Sequence, residues 1–341
     1  MSTYIVRNLN LLFFTLLVLC VISFSLGHLL PGSALANFSG IQNLSVQQAS
    51  ELSEQYGLEQ NVLVQFWYYW LRLLDGDWGL SFSSGLPVYD EIMIALPASI
   101  ELSTYALLVS LLVGLPLGLL AGFKHYRPID LGLLSLSVVS YSVPVFWLAL
   151  IFIMVFSLQL GWFPMSGRLS LLFDVPYQTG FILLDILLSE LPNKYDAFLD
   201  ALSHMILPTL SIAFVTFTII LRTVRRSVID VLQKDYIQAA YTRGLSHRQV
   251  FMRHVLRNAL LPILPMLATQ FTVLLTSVMI VEIIFSWPGI GSWLIQAIYQ
   301  RDYPAIRAGM LIVSALVVLF TISINILFKF VDPTSSRTSR V

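Results

Sequence analysis

One aspartate, four arginines and two histidines fall between Asp235 and Pro262, grouped around Gly244, in a chain that is 57% hydrophobic and only 11% charged. Such a charged island between hydrophobic spans offers a soluble partner a surface on which to dock. Bond-making chemistry is harder to assemble. No Gly-Lys pair occurs anywhere, so the phosphate-cradling loop G-x-x-x-x-G-K-[ST] is absent and the chain cannot be its own ATP motor. The single cysteine, Cys20, lies in an apolar run, which excludes an intrachain disulfide and a cysteine-based metal site. No metal, cofactor or nucleic-acid site is expected.

A second set of polar groups sits inside apolar sequence. Thr269, Thr272 and Thr276 share one helical stripe, with Gln270 about 100° away. They could line a polar path or merely bond between helices. Glu282, bracketed by Val281 and Ile283 just before the break Ser286-Trp287-Pro288-Gly289, is costly at such depth unless it faces protein or water. It either accepts hydrogen bonds from the following turn or belongs to a translocation path. Glu101 opens another apolar run and is expected at headgroup level.

Local sequence says how the charged island folds. Asp235 can cap a helix whose third residue is Gln238 and which carries the small Ala239 and Ala240 before Gly244 ends it. Ser246 then caps the next helix, with Gln249 at the capping-box position and Leu245 and Val250 placed for a hydrophobic staple. Arg248, Arg253 and Arg257 follow. A topology signal or a lipid-headgroup contact would explain these arginines, but not two consecutive capped helices around a glycine.

The elements that must position these groups are membrane spans. Apolar runs near the roughly 20 residues needed to cross a bilayer describe an all-α, polytopic membrane protein. Six spans are expected at 9–29, 100–122, 138–160, 205–221, 261–285 and 306–328. Fourteen of the 19 lysines and arginines then fall in the termini and two loops of one side, which makes that side, and both termini, cytoplasmic. The first run, with an apolar core longer than the roughly 7 to 15 residues of a signal sequence, reads as an uncleaved anchor. Residues 1–99 form the first span and a large periplasmic segment, 100–328 the transmembrane core, and 329–341 a cytoplasmic tail. Within the core lie a periplasmic insert at 161–203 and the cytoplasmic loop at 222–260.

In the first outer segment, Ser45-Val46-Gln47-Gln48 is a capping-box pattern for a short helix that Gly57 can end. A second helix, 59–74, carries Trp67, Tyr68, Tyr69 and Trp70, suited either to the outer interface or to a small packed cap. The 161–203 segment, punctuated by Pro164, Pro176 and Pro192, reads as irregular. Gly114, Gly118 and Gly122 line one face of the second span and permit close helix contact; Pro116 and Pro144 permit bends.

Gln238-Ala239-Ala240, Gly244 and the downstream Leu261-Pro262 resemble the EAA loop of ATP-binding-cassette importer permeases, although Gln238 stands where that motif has glutamate. The long Gly244-to-Pro262 gap is similar to the dipeptide, oligopeptide and nickel branch. EQYGLEQNVLVQFWYYW with DGDWGLSF, VPVFWLAL from Val143 and VEIIFSWPGIG from Val281 extend the likeness over nearly the whole chain. Within that branch, HMILPTLSIA from His204 and the insert beginning GWFPMSGRLSLLFDV resemble the B-type permeases of Sap peptide systems. The resemblance implies a bacterial inner-membrane permease subunit beside a Sap C-type permease, two Sap D- and F-type ATPases and a periplasmic peptide-binding protein. It implies peptide substrates, cationic antimicrobial ones included, or putrescine. It makes Asp235, Gln238, Ala239, Ala240, Gly244, Ser246 and Arg253 the ATPase-coupling residues. A secondary transporter, the competing class, would keep acids near the bilayer midplane and often shows repeated halves, neither of which is seen. A subunit with a purely structural role is the remaining alternative.

Overall fold

The computed structural model describes residues 2–42 and 44–331. Of the tail at 329–341, positions 332–341 lie outside the described residues. The described residues are helical or irregular, with one isolated bridge between Leu80 and Pro87. Among the described residues, five helices are long and apolar enough to cross a membrane, or six when a bent pair counts as one span. The chain divides into two compact units.

Among the described residues, the first unit holds 2–42, 44–99, 177–181 and 288–319. Helix α1 (Ser2–Leu29) exposes Leu9, Phe13 and Phe14, as a lipid-facing span does. Short α2 (Ala34–Ser39) starts at Ser33, whose hydroxyl accepts the Ala36 N–H at 3.1 Å. Helix α3 (Val46–Gln55) starts on the expected reciprocal box: Ser45 Oγ accepts from Gln48 N at 3.3 Å and Gln48 Oε1 accepts from Ser45 N at 3.1 Å. Gly57 follows it at φ +62. Helix α4 (Val62–Leu74) begins on Asn61 and divides its aromatics. Tyr69 is buried with Phe24 and Phe38, at ring distances of 5.6 and 5.7 Å, whereas Trp67 stays 60% exposed. Buried Arg307 lies over the Phe38 and Tyr69 rings and donates to the Trp78 carbonyl at 3.2 Å. A second core joins Val88 and Ile92 to Ile290 and Ala297 of α14 (Ile290–Gln300). Asp302 anchors this region by accepting from Ser81 Oγ at 2.6 Å and Ser83 N at 3.1 Å.

Among the described residues, the second unit holds 100–176, 182–287 and 320–331. Its frame is the later part of α5 (Val88–Phe123) against α9 (Lys194–Leu232). The glycine stripe explains their approach: a Cβ on Gly114, Gly118 or Gly122 would lie 2.9, 2.7 and 2.6 Å from the Cβ of Ile220, Val224 and Val228. Helix α6 (Pro128–Ser142) and α7 (Val145–Phe152) are bent by 97° at Val143 and Pro144, so the expected third span, 138–160, falls on a bent pair of helices and not on one straight rod. Proline supplies no N–H and disfavours the helical region for the residue before it, which makes this the natural breaking point. A π-helical stretch, Ile153–Gln159, continues α7. The 161–203 segment is less irregular than its prolines suggest. It contains α8 (Ile182–Leu188) and the first turns of α9, which overrun the expected 205–221 span at both ends and pass through Pro208.

Candidate functional site

The charged island folds as a helical hairpin: α10 (Asp235–Thr242), α11 (His247–Val250), a π turn (Phe251–Val255) and α12 (Leu256–Ala259). At its start the structure corrects one expectation. Lys234, extended at φ −76 and ψ 143 with no side-chain bond, is the N-cap, and Asp235 is the first helical residue. There its carboxylate still favours the positive end of the helix dipole. The end of α10 is a left-handed glycine cap. Gly244 sits at φ +82, its N–H bonds to Tyr241 O at 3.0 Å, and Leu245 N–H bonds to Ala240 O at 3.3 Å. Ser246 and Gln249 then form the reciprocal box, Gln249 N to Ser246 Oγ at 3.4 Å and Ser246 N to Gln249 Oε1 at 2.9 Å.

This double cap gives the hairpin two unlike faces. Ile237, Ala240, Val250, Val255 and Ala259 are buried with Val224, Val228 and Val231 of α9 and with Ile263 and Leu267 of α13 (Ile263–Ile284). Leu245 packs on the same cluster that holds Val250, its expected staple partner. Asp235, Gln238, Ala239, Gly244, Ser246 and Arg253 point outward. Of the seven expected coupling residues only Ala240 is buried, at 5% exposure, so the structure brings six to the surface and leaves the seventh to hold them. Tyr241 Oη and His247 Nδ1, 3.2 Å apart, tie α10 to α11. Asn258 donates to Tyr236 Oη at 3.3 Å, and the Phe123 and Phe251 rings meet edge-on at 5.3 Å.

On α13, Thr269, Thr272 and Thr276 form an exposed stripe, with Gln270 half-buried. Two of the hydroxyls are satisfied within the helix: Thr269 donates to Met266 O at 2.8 Å and Thr276 to Thr272 O at 3.2 Å. The opposite face is fixed inward, where Phe271 stacks on Phe320 at 3.5 Å and 14°. Glu282 does not join the stripe. Its side chain is fully buried, and its backbone carbonyl accepts the Trp287 N–H at 2.8 Å across a turn in which Ser286 sits at φ +50.

Two ion-pair clusters escaped sequence reasoning. Glu101 is enclosed by protein, at 1% exposure. Arg168 Nε donates to its Oε2 at 3.1 Å, and the guanidinium lies 5.5 Å from the Trp287 ring centre. Gly167 N–H bonds to Phe285 O at 2.8 Å, so the 161–176 loop is tied to the end of α13. At the start of α6, buried Asp130 accepts from Arg225 Nη2 at 2.8 Å and from Tyr126 N at 3.0 Å, with His125 Nδ1 3.1 Å from Oδ2. Partners 67 and 95 residues apart leave no local signal in one sequence.

The family model described as "Binding-protein-dependent transport system inner membrane component" matches residues 114–337, which include the hairpin and α13. Curated relatives align over nearly their full length. The di/tripeptide transport system permease protein DppB of Pseudomonas aeruginosa (strain UCBPP-PA14) is 38% identical over 333 residues, 98% of either chain. The peptide transport system permease protein SapB of Salmonella typhimurium (strain LT2) is 38% identical over 334 residues, 98% of this chain and 97% of that one. The putrescine export system permease protein SapB of Escherichia coli (strain K12) is 37% identical over 334 residues, with the same coverage. With a polytopic helical fold and these full-length relatives, the chain belongs to the inner-membrane permease components of binding-protein-dependent ABC transport systems.

Proposed function

We propose that the chain forms half of a peptide translocation pathway and that the 235–259 hairpin is where an ATPase subunit docks. The observation that carries this reading is the division of the hairpin. Its outer face presents Gln238, Ala239, Gly244 and Arg253, while its inner face is one core with α9 and α13. A surface pushed by a partner and packed rigidly behind transmits the push to both spans. The partners are a second permease, Sap C-type within the Sap branch, and two ATPases of Sap D- and F-type. A periplasmic peptide-binding protein delivers the substrate. The hairpin and both termini are cytoplasmic, as the excess of basic residues there favours. By this reading 1–99 is the first span with its periplasmic segment, 100–328 the transmembrane core, and 329–341 a cytoplasmic tail.

The exposed hydroxyl stripe Thr269, Thr272 and Thr276, with Gln270 beside it, lines the path, because four polar side chains on an apolar span gain most from facing water or substrate. Buried Glu282 acts through its charge in a medium of low dielectric and not by contact. The names of the relatives favour di- and tripeptides or longer peptides as substrate, with putrescine as the second reading.

Gly244→Val tests the docking claim. Nothing lies within 4 Å of a Cβ at this position, so the substitution strains only the left-handed cap, at a cost of about 1–2 kcal/mol. The variant is expected to insert normally while transport and permease-stimulated ATP hydrolysis fall roughly tenfold. Wild-type stimulation would remove the hairpin from coupling.

A further inference from the structure

In the second unit, Phe123 of α5, Leu232 of α9 and Ile263 of α13 sit against the hairpin, so Glu101, Asp200 and Phe285 mark the far ends of the same helices. Those far ends are joined by a short strap, residues 163–170. Ser157, in the π-helical stretch after α7, donates to Phe163 O at 2.7 Å. Gly167, left-handed at φ +87, donates its N–H to Phe285 O at 2.8 Å. Arg168 pairs with Glu101 and lies over Trp287, and the Ser170 N–H bonds to Asp200 Oδ2 at 2.8 Å. Glu101 also accepts from Leu183 N of α8 at 3.5 Å.

We infer that the strap is a clamp that stays shut through the transport cycle and makes the far ends of α5, α9 and α13 move as one body, with Arg168 as its positioning residue. This rests on the docking reading, in which a push on the hairpin enters α9 and α13. Two observations carry it. The first is the depth of the ion pair: the Glu101 side chain is fully buried and that of Arg168 is 14% exposed. Parting them strands a charge out of water, a penalty that an exposed pair does not meet. The second is where the helices are weak. Both α5 and α9 carry an internal proline, Pro116 and Pro208, between the hairpin and the strap. Proline removes a ladder bond and lets a helix bend there. A push at the hairpin is then lost in separate bends unless the far ends are tied. With the strap in place, a shift of one far end carries the others with it.

The test uses the assembled transporter in lipid nanodiscs, in a Cys20→Ala background, with spin labels on cysteines replacing exposed Thr104 of α5 and exposed Ile283 of α13. With the strap intact, the distance between the labels is expected to be the same without nucleotide and with ATP trapped by vanadate. A change of more than about 2 Å, the scale of a helix shift, would show the clamp opening and overturn the proposal. The positioning role has its own readout, the labelled trialanine carried per ATP hydrolysed in vesicles. Glu101→Gln/Arg168→Gln removes both charges and strands neither. In this double variant the label distances should broaden and hydrolysis should persist, while the yield per ATP falls about tenfold. A strap that serves folding alone would lower the amount of assembled transporter and leave that yield at its wild-type value, which would also overturn the proposal. Failure of the docking reading is told apart by Gly244→Val, which leaves the strap intact and would then stimulate hydrolysis normally.

Discussion

Glu101 and Arg168 sit 67 residues apart in sequence and nearly touch in the structure, with the carboxylate fully out of solvent. Removing one partner of such a pair strands a buried charge, at about 3–5 kcal/mol. Glu101→Gln is therefore expected to lower the thermal midpoint of the purified protein by several degrees. The Glu101→Gln/Arg168→Gln double variant should lose less than the sum of the singles; additive losses would deny the pairing. At Glu282 the expectation concerns function. Gln keeps the hydrogen-bonding capacity and drops the charge, so transport of cationic peptides should fall roughly tenfold while neutral peptides are unaffected. Equal transport of both by Glu282→Gln would return the residue to bracing the Ser286 turn. What was legible at this scale was local. Gly244 and the Ser246–Gln249 box were readable because a cap is decided within three or four residues. Asp235 was misplaced by one position for the same reason, since Lys234 caps by backbone geometry alone and carries no side-chain signature.

The glycine stripe is the clearest element-scale link from sequence to packing. With Cβ positions at 114, 118 and 122 all closer than 3.0 Å to α9 atoms, α5 and α9 cannot keep their spacing around a larger residue. Gly118→Leu is expected to cost about 1–3 kcal/mol through overpacking and to impair assembly, measurable as loss of folded protein in detergent. A fully stable Gly118→Leu protein would show that this contact does not hold the helices. Hydropathy made the spans legible but not their lengths. It reports which residues tolerate lipid and not where backbone hydrogen bonding stops, so α9 extends beyond the expected span at both ends, to Lys194 and Leu232. The break between α6 and α7 was foreshadowed by Pro144; its 97° angle was not, because proline licenses a bend without setting its size.

For the whole molecule, the fold class was readable from composition, because a chain with so few charges and several long apolar runs has few other ways to satisfy its backbone. The proposed sidedness rests on the distribution of arginine and lysine and is open to a direct check. In a Cys20→Ala background, cysteine at exposed Gln47 should react with an impermeant thiol reagent in intact cells, whereas cysteine at exposed Arg248 should react only after the membrane is opened. The reverse pattern would invert the topology.

The claim on which the account rests is that the outer face of the 235–259 hairpin receives the ATPase. A photo-crosslinking amino acid placed at exposed Ala239 of the assembled transporter, with one at exposed Leu108 of α5 as comparison, measures this directly. The account predicts a covalent permease–ATPase product from position 239 and none from position 108. Efficient assembly and ATP hydrolysis with no ATPase adduct at 239 would contradict it.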